Sequence, residues 1–447
     1  MLFGTSGIRG IYPFQISSNL AVRLGFAVAS YVNHGFIVVG WDGRNTSKLL
    51  GTSIISGIIS AGLDAAVVGM VPTPVMAYSV KYFGASGGIM VTASHNPPEF
   101  NGFKVYFSGG RESIENEEQA IESIMNKFNS NGPHGEHGRV EFYDVSNVYV
   151  RDLYSTLSVK RLWRPRIIID CGGGVTGLYT PRILRTLSDV HVINDYVDPF
   201  FSGREAEPRP DVLSCFSKCV TNLGFDIGLA HDGDGDRLAV IDENGNFVDM
   251  STIIAFMAKR KVEENNGGIV VVSVDTSMSV REVVERAGGR IEVTKLGKTH
   301  AKLRSGVVLA AEPWKIIDPS WGFWQDGIYI AGQLIGFMVS EGKRLRQILN
   351  EEKIPVYPGV RLSFYHDNIK RDVFMEFIKE NLSSAFKDVI NVVDIDGVKV
   401  ETKRGWVLVR VSGTEPKVRL YAEGFTVEDL EYIVKISQEI IGKGLKK

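Results

Sequence analysis

Features that would assign a protein to a specialised class are scarce in this chain of 447 residues. It has three cysteines, too few for a disulfide framework, and Cys215 and Cys219 lack the second Cys or His pair that a zinc site needs. We therefore expect buried thiols in a reducing compartment. The first residues, MLFGTSGIRGIYPF, also lack the basic and then apolar segments of a signal peptide, so we expect a cytoplasmic protein.

An excess of one charge and a long hydrophobic run are absent as well. The formal net charge is −2, which provides no general positive field to attract nucleic acid. The most apolar stretches, such as GIYIAGQLIGFMV, are too short or too interrupted to cross a bilayer. We expect neither nucleic acid nor a membrane as a partner, and the 44% of hydrophobic residues are typical of an ordinary globular protein.

The order of strand-like and helix-like runs predicts four structural units. Strand-like FIVVGWD, DAAVVGM and GGIMVTAS alternate with helix-like NLAVRLGFAVASYV and SKLLGTSIISGIISAG, a pattern typical of α/β layers. The alternation restarts near Ser146 and again near Phe247, whereas strands, turns and two helices follow KIPVYPGV. Because one hydrophobic core stops growing well below this length, we expect several domains. The predicted α/β domains are residues 1–147, 148–245 and 246–355, followed by a smaller α+β domain at 356–447.

A cluster of carboxylates lies between two strand-like runs. The segment HDGDGDR places Asp232, Asp234 and Asp236 at alternating positions. Three crowded carboxylates repel one another unless a cation neutralises them, which favours a hard divalent metal. An EF-hand loop is disfavoured, because Arg237 stands where that loop needs glycine and because strands, not helices, flank the segment.

The segment VTASHNPPEFNGFK, residues 91–104, follows an apolar strand and contains several polar side chains. Ser94 could cap the following turn, or it could act in a binding crevice at the end of the strand together with His95, Asn101 and Lys104. A Ser-His-Asp hydrolase is disfavoured because there is no G-x-S-x-G elbow and adjacent side chains point in different directions. The spacing alone leaves the role of Ser94 open.

Two further loops combine glycine with basic side chains. In RVSGTEPKVRLYAEG, backbone amides near a glycine, hydroxyls and guanidinium groups suit a phosphate oxyanion, although a charged hairpin is the alternative interpretation. The segment FGTSGIRG places Arg9 among glycines, which is a weak signal by itself. The polar residues of the first loop include Arg410, Ser412, Gly413, Thr414, Lys417 and Arg419.

Two segments partly match nucleotide-binding motifs. IIIDCGGGVTG fits G-x-G-x-x-G after a strand, and Asp195 lies roughly where a ribose-binding acid would be, so an NAD-dependent oxidoreductase is a second hypothesis. LGKTH has Glu292 where a Walker A loop needs its first glycine, which argues against an NTPase.

Taken in order, FGTSGIRG, TASHNPPEFNGFK, DGDGDR and SGTEPKVRLYAEG resemble the motifs of the α-D-phosphohexomutase superfamily. The superfamily includes phosphomannomutase, phosphoglucomutase and phosphoglucosamine mutase, and the resemblance covers essentially the whole chain. It implies three related α/β domains with mixed sheets and a smaller C-terminal α+β domain around a central cleft. It also makes DCGGG the opening of the second domain, which weakens the dinucleotide hypothesis.

The resemblance implies an enzyme that interconverts hexose 1-phosphates and hexose 6-phosphates through a phosphoserine. Ser94 would carry the phosphoryl group, and Lys104, with a pKa lowered by Arg9 and burial, would take a proton from the sugar hydroxyl, with His95 as the alternative. Mg²⁺, glucose 1,6-bisphosphate as activator and hexose phosphates as partners are implied, and a homo-oligomer stays open. The implied sets are catalytic Ser94, Lys104, Arg9 and His95; metal-binding Ser94, Asp232, Asp234 and Asp236; and substrate-binding Arg237, Lys295, Glu312, Lys315, Arg410, Ser412, Gly413 and Thr414.

The sugar-recognition loop departs from the family pattern of G-E-x-S-G or G-E-x-N-G. In AAEPWKIID, Glu312 is retained to accept hydrogen bonds from sugar hydroxyls, whereas Trp314 and Lys315 replace the Ser or Asn and the following glycine. Trp314 could stack on the sugar or pack inside the protein, and Lys315 could contact a hydroxyl or a phosphate. We expect a phosphomannomutase/phosphoglucomutase that acts on mannose and glucose phosphates. The alternative is a phosphoglucosamine mutase with the same mechanism.

Overall fold

The computed structural model describes residues 2–4, 6–128, 137–157, 160, 162–366, 370–411 and 417–446. The predicted phosphate-binding residues Ser412, Gly413 and Thr414 lie outside the described residues. The chain divides into two compact units, Met1–Met250 with Trp314–Glu352, and Ser251–Pro313 with Lys353–Lys447. Within the described residues, the helices are all too short or too polar to cross a membrane.

The N-terminal part of the first unit is a mixed sheet with helices. Its elements are β1 (Ile8–Ile11), α1 (Ser18–Val32), β2 (Phe36–Trp41), α2 (Ser47–Ser60), β3 (Asp64–Met70), α3 (Thr73–Phe83), β4 (Gly87–Val91), β5 (Phe100–Phe107), β6 (Arg111–Glu112), α4 (Glu115–Lys127) and β7 (Val140–Phe142). The strand order is β1-β5-β4-β2-β3-β7, with β6 paired to β5. Strands β2, β3, β4 and β7 are parallel, whereas β5 is antiparallel to β1, β4 and β6.

Helices α1 and α2 cover this sheet and pack closely on each other. Ser17 caps α1 by accepting a hydrogen bond from the Leu20 backbone, and the helix ends at Asn33 in the left-handed conformation. A Cβ atom on Gly25 of α1 would lie 2.2 Å from the Ile54 carbonyl oxygen of α2. The glycine therefore lets the two backbones approach, which places the buried faces of both helices on the sheet.

The rest of the first unit's N-terminal segment forms a second mixed sheet. Its elements are α5 (Ser146–Thr156), β8 (Arg166–Asp170), α6 (Thr180–Leu184), β9 (Asp189–Ile193), α7 (Ser214–Asn222), β10 (Ile227–His231) and β11 (Leu238–Asp242). The strand order is β11-β10-β8-β9, with β8 parallel to β9 and β10, and β11 antiparallel to β10. All five residues of β10 are buried, as expected for a central strand.

The second unit begins with another α/β segment. It contains α8 (Met250–Glu264, whose first residue belongs to the first unit), β12 (Ile269–Ser273), α9 (Met278–Arg286), β13 (Arg290–Thr294) and β14 (Val307–Glu312). Strand β12 is parallel to both β13 and β14. The chain then returns to the first unit with β15 (Lys315–Ile317), α10 (Gly327–Glu341) and α11 (Leu345–Glu351).

The C-terminal segment is an antiparallel sheet with two helices. Its elements are β16 (Gly359–Tyr365), α12 (Arg371–Asn381), β17 (Val389–Val393), β18 (Val398–Thr402), β19 (Gly405–Val411), β20 (Lys417–Gly424) and α13 (Val427–Gly444). The strand order is β16-β20-β19-β18-β17. Apolar residues of α12 and α13 pack against β18, β19 and β20 to form one core. The predicted change from α/β segments to a smaller α+β segment is thus observed.

Candidate active site

Ser94 lies in the loop that follows β4, and its side chain is completely buried. Its backbone has φ of 51°, in the left-handed region that residues other than glycine rarely occupy. The Ser94 N–H donates to Thr92 Oγ1 at 2.8 Å, and Ser94 Oγ donates to Asp232 Oδ2 at 2.7 Å. The structure therefore brings the predicted carrier serine against the predicted metal loop.

The three aspartates follow β10 and are all buried. One carboxylate oxygen from each of the three lies within 4.8 Å of the others. Both Asp232 oxygens have partners, since Oδ1 accepts from the backbone of Gly235 and Arg237. Asp234 Oδ1 and Asp236 Oδ1, in contrast, are buried without a hydrogen-bond partner among the described residues. Two orphaned carboxylate oxygens beside a serine form a donor set that fits Mg²⁺, which prefers oxygen ligands.

Burial and mutual repulsion raise the pKa values of the aspartates, whereas neighbouring positive charges lower them. Burial, together with the charges of Asp234 and Asp236, raises the pKa of Asp232 well above its usual value. Burial also acts to raise the pKa of Asp234 and Asp236, but the nearby lysine ammonium groups outweigh it and lower both. The site therefore favours a cation at Asp234 and Asp236.

Two lysines supply that positive charge. Lys104 on β5 donates to Asp234 Oδ2 at 2.8 Å and to Asp236 Oδ2 at 2.7 Å, and Lys315 on β15 donates to Asp236 Oδ2 at 2.9 Å. Burial alone would lower the pKa of Lys104, but the two aspartates raise it above its ordinary value. The expectation that burial and Arg9 give Lys104 a lowered pKa is therefore wrong in this structure.

The His95 ring lies between Ser94 and Arg237. His95 Nδ1 is 3.4 Å from Ser94 Oγ, and its Nε2 is 3.5 Å from Arg237 Nη2. Burial and the charges of Arg237 and Arg9 hold the pKa of His95 well below its usual value. His95 is consequently a neutral imidazole at pH 7.

Arg9 and Arg237 offer unused donors to an anion. Arg9 donates to Asn96 Oδ1 at 3.0 Å and to Ser6 Oγ at 3.2 Å, and Arg237 pairs with Glu207 Oε1 at 2.8 Å. The Nε atom of each arginine is buried without a partner among the described residues. A guanidinium with a free N–H in a buried site is a suitable donor to phosphoryl oxygens.

Models of one family match the chain in four segments. The phosphoglucomutase/phosphomannomutase models match with alpha/beta/alpha domain I over residues 1–131, domain II over 147–245, domain III over 249–354 and the C-terminal domain over 377–436. A Thermococcus kodakarensis protein named "Phosphopentomutase" is 36% identical over 456 residues, covering 100% of this chain and 99% of the relative. The chain belongs to the phosphoglucomutase/phosphomannomutase family.

Other similar members of the phosphoglucomutase/phosphomannomutase family agree over nearly the whole length. A Methanopyrus kandleri protein named "Probable phosphoglucosamine mutase" is 37% identical over 435 residues, covering 95% of this chain and 94% of the relative. A crystal structure of a phosphoglucomutase/phosphomannomutase family protein from Burkholderia thailandensis has a TM-score of 0.88 at 26% identity, covering 99% of this chain and 97% of that one. The predicted superfamily and enzyme class are confirmed, and so is the prediction of three α/β domains followed by a C-terminal domain: the chain belongs to the phosphohexomutase family of isomerases, which act as intramolecular phosphotransferases.

This phosphohexomutase contains supporting residues that the sequence motifs did not identify. Buried Arg44, in the loop after β2, donates to Asp42 Oδ2 at 3.2 Å and to four backbone carbonyls of the serine loop. The four carbonyls are those of Ser94, Asn96, Pro97 and Phe100, at 2.6 to 3.1 Å. The available signal was position, because Arg44 follows a parallel strand at the edge where binding loops gather.

Thr73 and Thr92 join the serine loop to the loop of the three aspartates. Thr73 Oγ1 donates to Asp234 Oδ2 at 2.6 Å, and the Thr73 backbone N–H donates to the Asp234 carbonyl oxygen at 2.9 Å. Thr92 Oγ1 lies 2.7 Å from Asp42 Oδ2 and 3.1 Å from Asp234 Oδ2. These contacts fix the two loops relative to each other.

Three further predicted substrate-binding residues belong to the second unit. Lys295, Glu312 and Arg410 belong to the second unit, where buried Glu312 accepts from the Gly297 backbone at 2.5 Å and Arg410 pairs with Asp396 at 3.3 Å. Trp314 packs its ring 5.5 Å from that of Phe247, at the edge of the core of the second sheet. This position agrees with the packing alternative for Trp314.

Proposed function

We propose that this phosphohexomutase moves a phosphoryl group between O1 and O6 of a hexose phosphate through phospho-Ser94. The observation that carries the proposal is the contact of Ser94 Oγ with Asp232 Oδ2 at 2.7 Å, beside the orphaned oxygens of Asp234 and Asp236. A serine that carries a phosphoryl group against such carboxylates requires a divalent cation between them. The donor set therefore supports both the phosphoserine and the metal.

Asp232, Asp234, Asp236 and an oxygen of phospho-Ser94 would hold Mg²⁺. When bound, the ion neutralises the charge that develops on the phosphoryl oxygens during transfer. The free Nε donors of Arg9 and Arg237 bind the same oxygens from the protein side. Lys104 keeps Asp234 and Asp236 in place through its two short ion pairs.

The reaction exchanges one phosphorus–oxygen bond for another. A sugar hydroxyl attacks phosphorus, the bond to Ser94 Oγ breaks, and the hydroxyl proton passes to an acceptor. The sugar bisphosphate that forms then reorients and returns its other phosphoryl group to Ser94. Net transfer within one sugar needs no redox cofactor, which agrees with the isomerase class.

Two side chains compete for the role of proton acceptor. The resemblance assigns the role to Lys104, whereas His95 has Nδ1 3.4 Å from Ser94 Oγ. The variants His95→Gln and Lys104→Met distinguish them when turnover is compared with the affinity for Mn²⁺. Loss of a proton acceptor lowers kcat and leaves the affinity near that of the wild type, whereas loss of an anchor for the aspartates changes both.

Mannose and glucose phosphates are the substrates expected from the sequence. Glucosamine phosphate and pentose phosphates are the second candidates, because similar relatives are named for those reactions. A panel of the corresponding 1-phosphates, assayed for kcat/KM with catalytic sugar bisphosphate, orders the substrates. If the protein turned over none of these sugar phosphates, the proposed function would be contradicted.

The variant Ser94→Ala tests the carrier directly. We expect turnover to be lost, because alanine has no hydroxyl oxygen to carry the phosphoryl group, while the melting temperature stays close to that of the wild type. Ser79→Ala is the matched control, since Ser79 is also fully buried and donates only to the Val75 carbonyl within α3. Intact-protein mass after incubation with glucose 1,6-bisphosphate should show one added phosphoryl group in the wild type and in the control but not in Ser94→Ala. Near-normal turnover by Ser94→Ala would remove this serine from its role.

A further inference from the structure

Lys315 occupies an unexpected place in the acidic cluster. Lys315 stands where the family's sugar-recognition pattern has its last glycine. It is 5% exposed, and its ammonium donates to Asp236 Oδ2 at 2.9 Å. The sequence suggested a contact with a sugar hydroxyl or a phosphate. The structure instead pairs this lysine with a carboxylate of the metal loop.

The protein backbone holds Lys315 firmly in this position. All three residues of β15 are buried, and the Ile316 carbonyl accepts from the Asp326 backbone at 3.4 Å. The preceding Trp314 has φ of 78° and packs its ring on Phe247. A bulky residue keeps a left-handed conformation only where its surroundings enforce it. The backbone of Lys315 is therefore fixed, and its buried ammonium is held at the site by the ion pair with Asp236.

Lys315 is the second ammonium on a single oxygen. Lys104 already donates to Asp236 Oδ2 at 2.7 Å and to Asp234 Oδ2 at 2.8 Å, which is sufficient to orient both carboxylates. The free oxygens, Oδ1 of Asp234 and Asp236, belong to the same carboxylates. Because the site is buried, charges there interact more strongly than in water, and a further positive charge on Asp236 repels any cation that binds its other oxygen.

We propose that Lys315 is a built-in counter-ion that weakens the affinity of the aspartate cluster for a divalent metal. It neutralises Asp236 in the metal-free protein and opposes metal binding until an anion, such as a phosphoryl group, adds negative charge. Lys315 is thus a residue that tunes the metal site. The proposal rests on the proposed function only in placing a divalent cation at Asp232, Asp234 and Asp236.

Titration of metal-free, unphosphorylated protein with Mn²⁺ tests this role without any need for turnover. We expect Lys315→Met and Lys315→Gln each to bind Mn²⁺ about tenfold more tightly than the wild type, because one repelling charge is removed. Lys81→Met is the matched control. Lys81 donates to the Trp321 carbonyl instead of to the aspartate cluster, so this variant should keep the wild-type affinity.

The two Lys315 variants separate charge from hydrogen bonding and from folding. The rise in melting temperature on adding Mg²⁺ should be larger in both variants than in the wild type, since the metal then stabilises the folded state more. Unchanged or weaker Mn²⁺ binding in either variant overturns the proposal. If only Lys315→Gln kept the wild-type affinity, the hydrogen bond to Asp236, and not the charge of Lys315, would explain the effect. If both variants bound Mn²⁺ more tightly but the wild type turned over no sugar phosphate, the proposed function would be contradicted and this inference would stand.

Discussion

Ser94, the proposed phosphoryl carrier, has a backbone conformation that is energetically costly. Its φ of 51° belongs to a region that costs a residue with a side chain on the order of 1–2 kcal/mol. Such strain persists only where surrounding contacts determine the conformation, and here Arg44 holds the Ser94 carbonyl while Thr92 holds its N–H. The position of the oxygen that would carry the phosphoryl group therefore depends on residues outside the reactive set.

Arg44→Lys should lower turnover more than it lowers substrate binding. Lysine keeps the charge but lacks the forked guanidinium that reaches four carbonyls at once, so the serine loop loses its fixed position. We expect kcat to fall by about tenfold to a hundredfold with a small change in KM, because misplacement of a reacting atom costs that much. Steady-state kinetics and the rate of Ser94 phosphorylation by glucose 1,6-bisphosphate measure the effect.

Arg23→Lys is the control for this experiment. Arg23 also binds a backbone carbonyl, that of Met125, through Nε and Nη2 at 3.2 and 2.7 Å. It should affect stability without slowing phosphorylation. If Arg44→Lys lowered only the melting temperature and left kcat intact, the positioning role of Arg44 would be refuted.

At the scale of secondary-structure elements, the site is a set of loops that follow strands. The Arg44 loop follows β2, Thr73 follows β3, the Ser94 loop follows β4 and the aspartate loop follows β10. Strands β2, β3 and β4 are parallel and end at a common edge of one sheet, so the loops that follow them meet there. The aspartate loop comes from the second sheet and is joined to them by hydrogen bonds from Thr73, Thr92 and Ser94. The alternation of runs predicted these strands, and the spacing in HDGDGDR predicted the carboxylate cluster, because both depend on local order.

Contacts between loops could not be predicted in the same way. The pKa of Lys104 depends on Asp234 and Asp236, about 130 positions along the chain, and no local pattern shows that these charges lie beside it. The carbonyls bound by Arg44 carry no sequence signal, since every residue has one. The glycines of DCGGG match a dinucleotide-binding motif, but their positions in the structure have another explanation. Gly172 and Gly173 have positive φ, and a Cβ on Gly174 would lie 2.6 Å from the Gly233 carbonyl, so these glycines serve a turn and a close approach to the aspartate loop.

Gly174→Ala should therefore disturb the aspartate loop from a neighbouring element. The new methyl group would press on the backbone of Gly233, between Asp232 and Asp234, and the loop must shift to accept it. We expect weaker Mn²⁺ binding by about tenfold or more and a lower kcat, together with a lower melting temperature. Gly442→Ala in α13, where a Cβ meets nothing within 4 Å, should change none of the metal properties. Wild-type Mn²⁺ affinity in Gly174→Ala would contradict the packing argument.

At the scale of the whole molecule, the predicted site residues are divided between the two compact units. Arg9, Ser94, His95, Lys104, the three aspartates, Arg237 and Lys315 all belong to the first unit, whereas Lys295, Glu312 and Arg410 belong to the second. Each unit has its own buried core. The proposed metal ligands all come from the first unit, so binding of the metal alone should stabilise that unit more than the second.

Removal of the metal should consequently destabilise one part of the molecule selectively. A ligand at a concentration of about a hundred times its Kd stabilises the folded state to which it binds by roughly 2.7 kcal/mol. We expect hydrogen exchange in peptides from β10 to β11 and from the Ser94 loop to be slower with excess Mg²⁺ than with EDTA, while peptides from β17 to β19 exchange equally in both. The same comparison in Asp234→Asn should show little difference, since a proposed ligand is lost. Equal protection of both units by Mg²⁺, or no protection of β10 to β11, would show that the ion does not bind at the aspartate cluster.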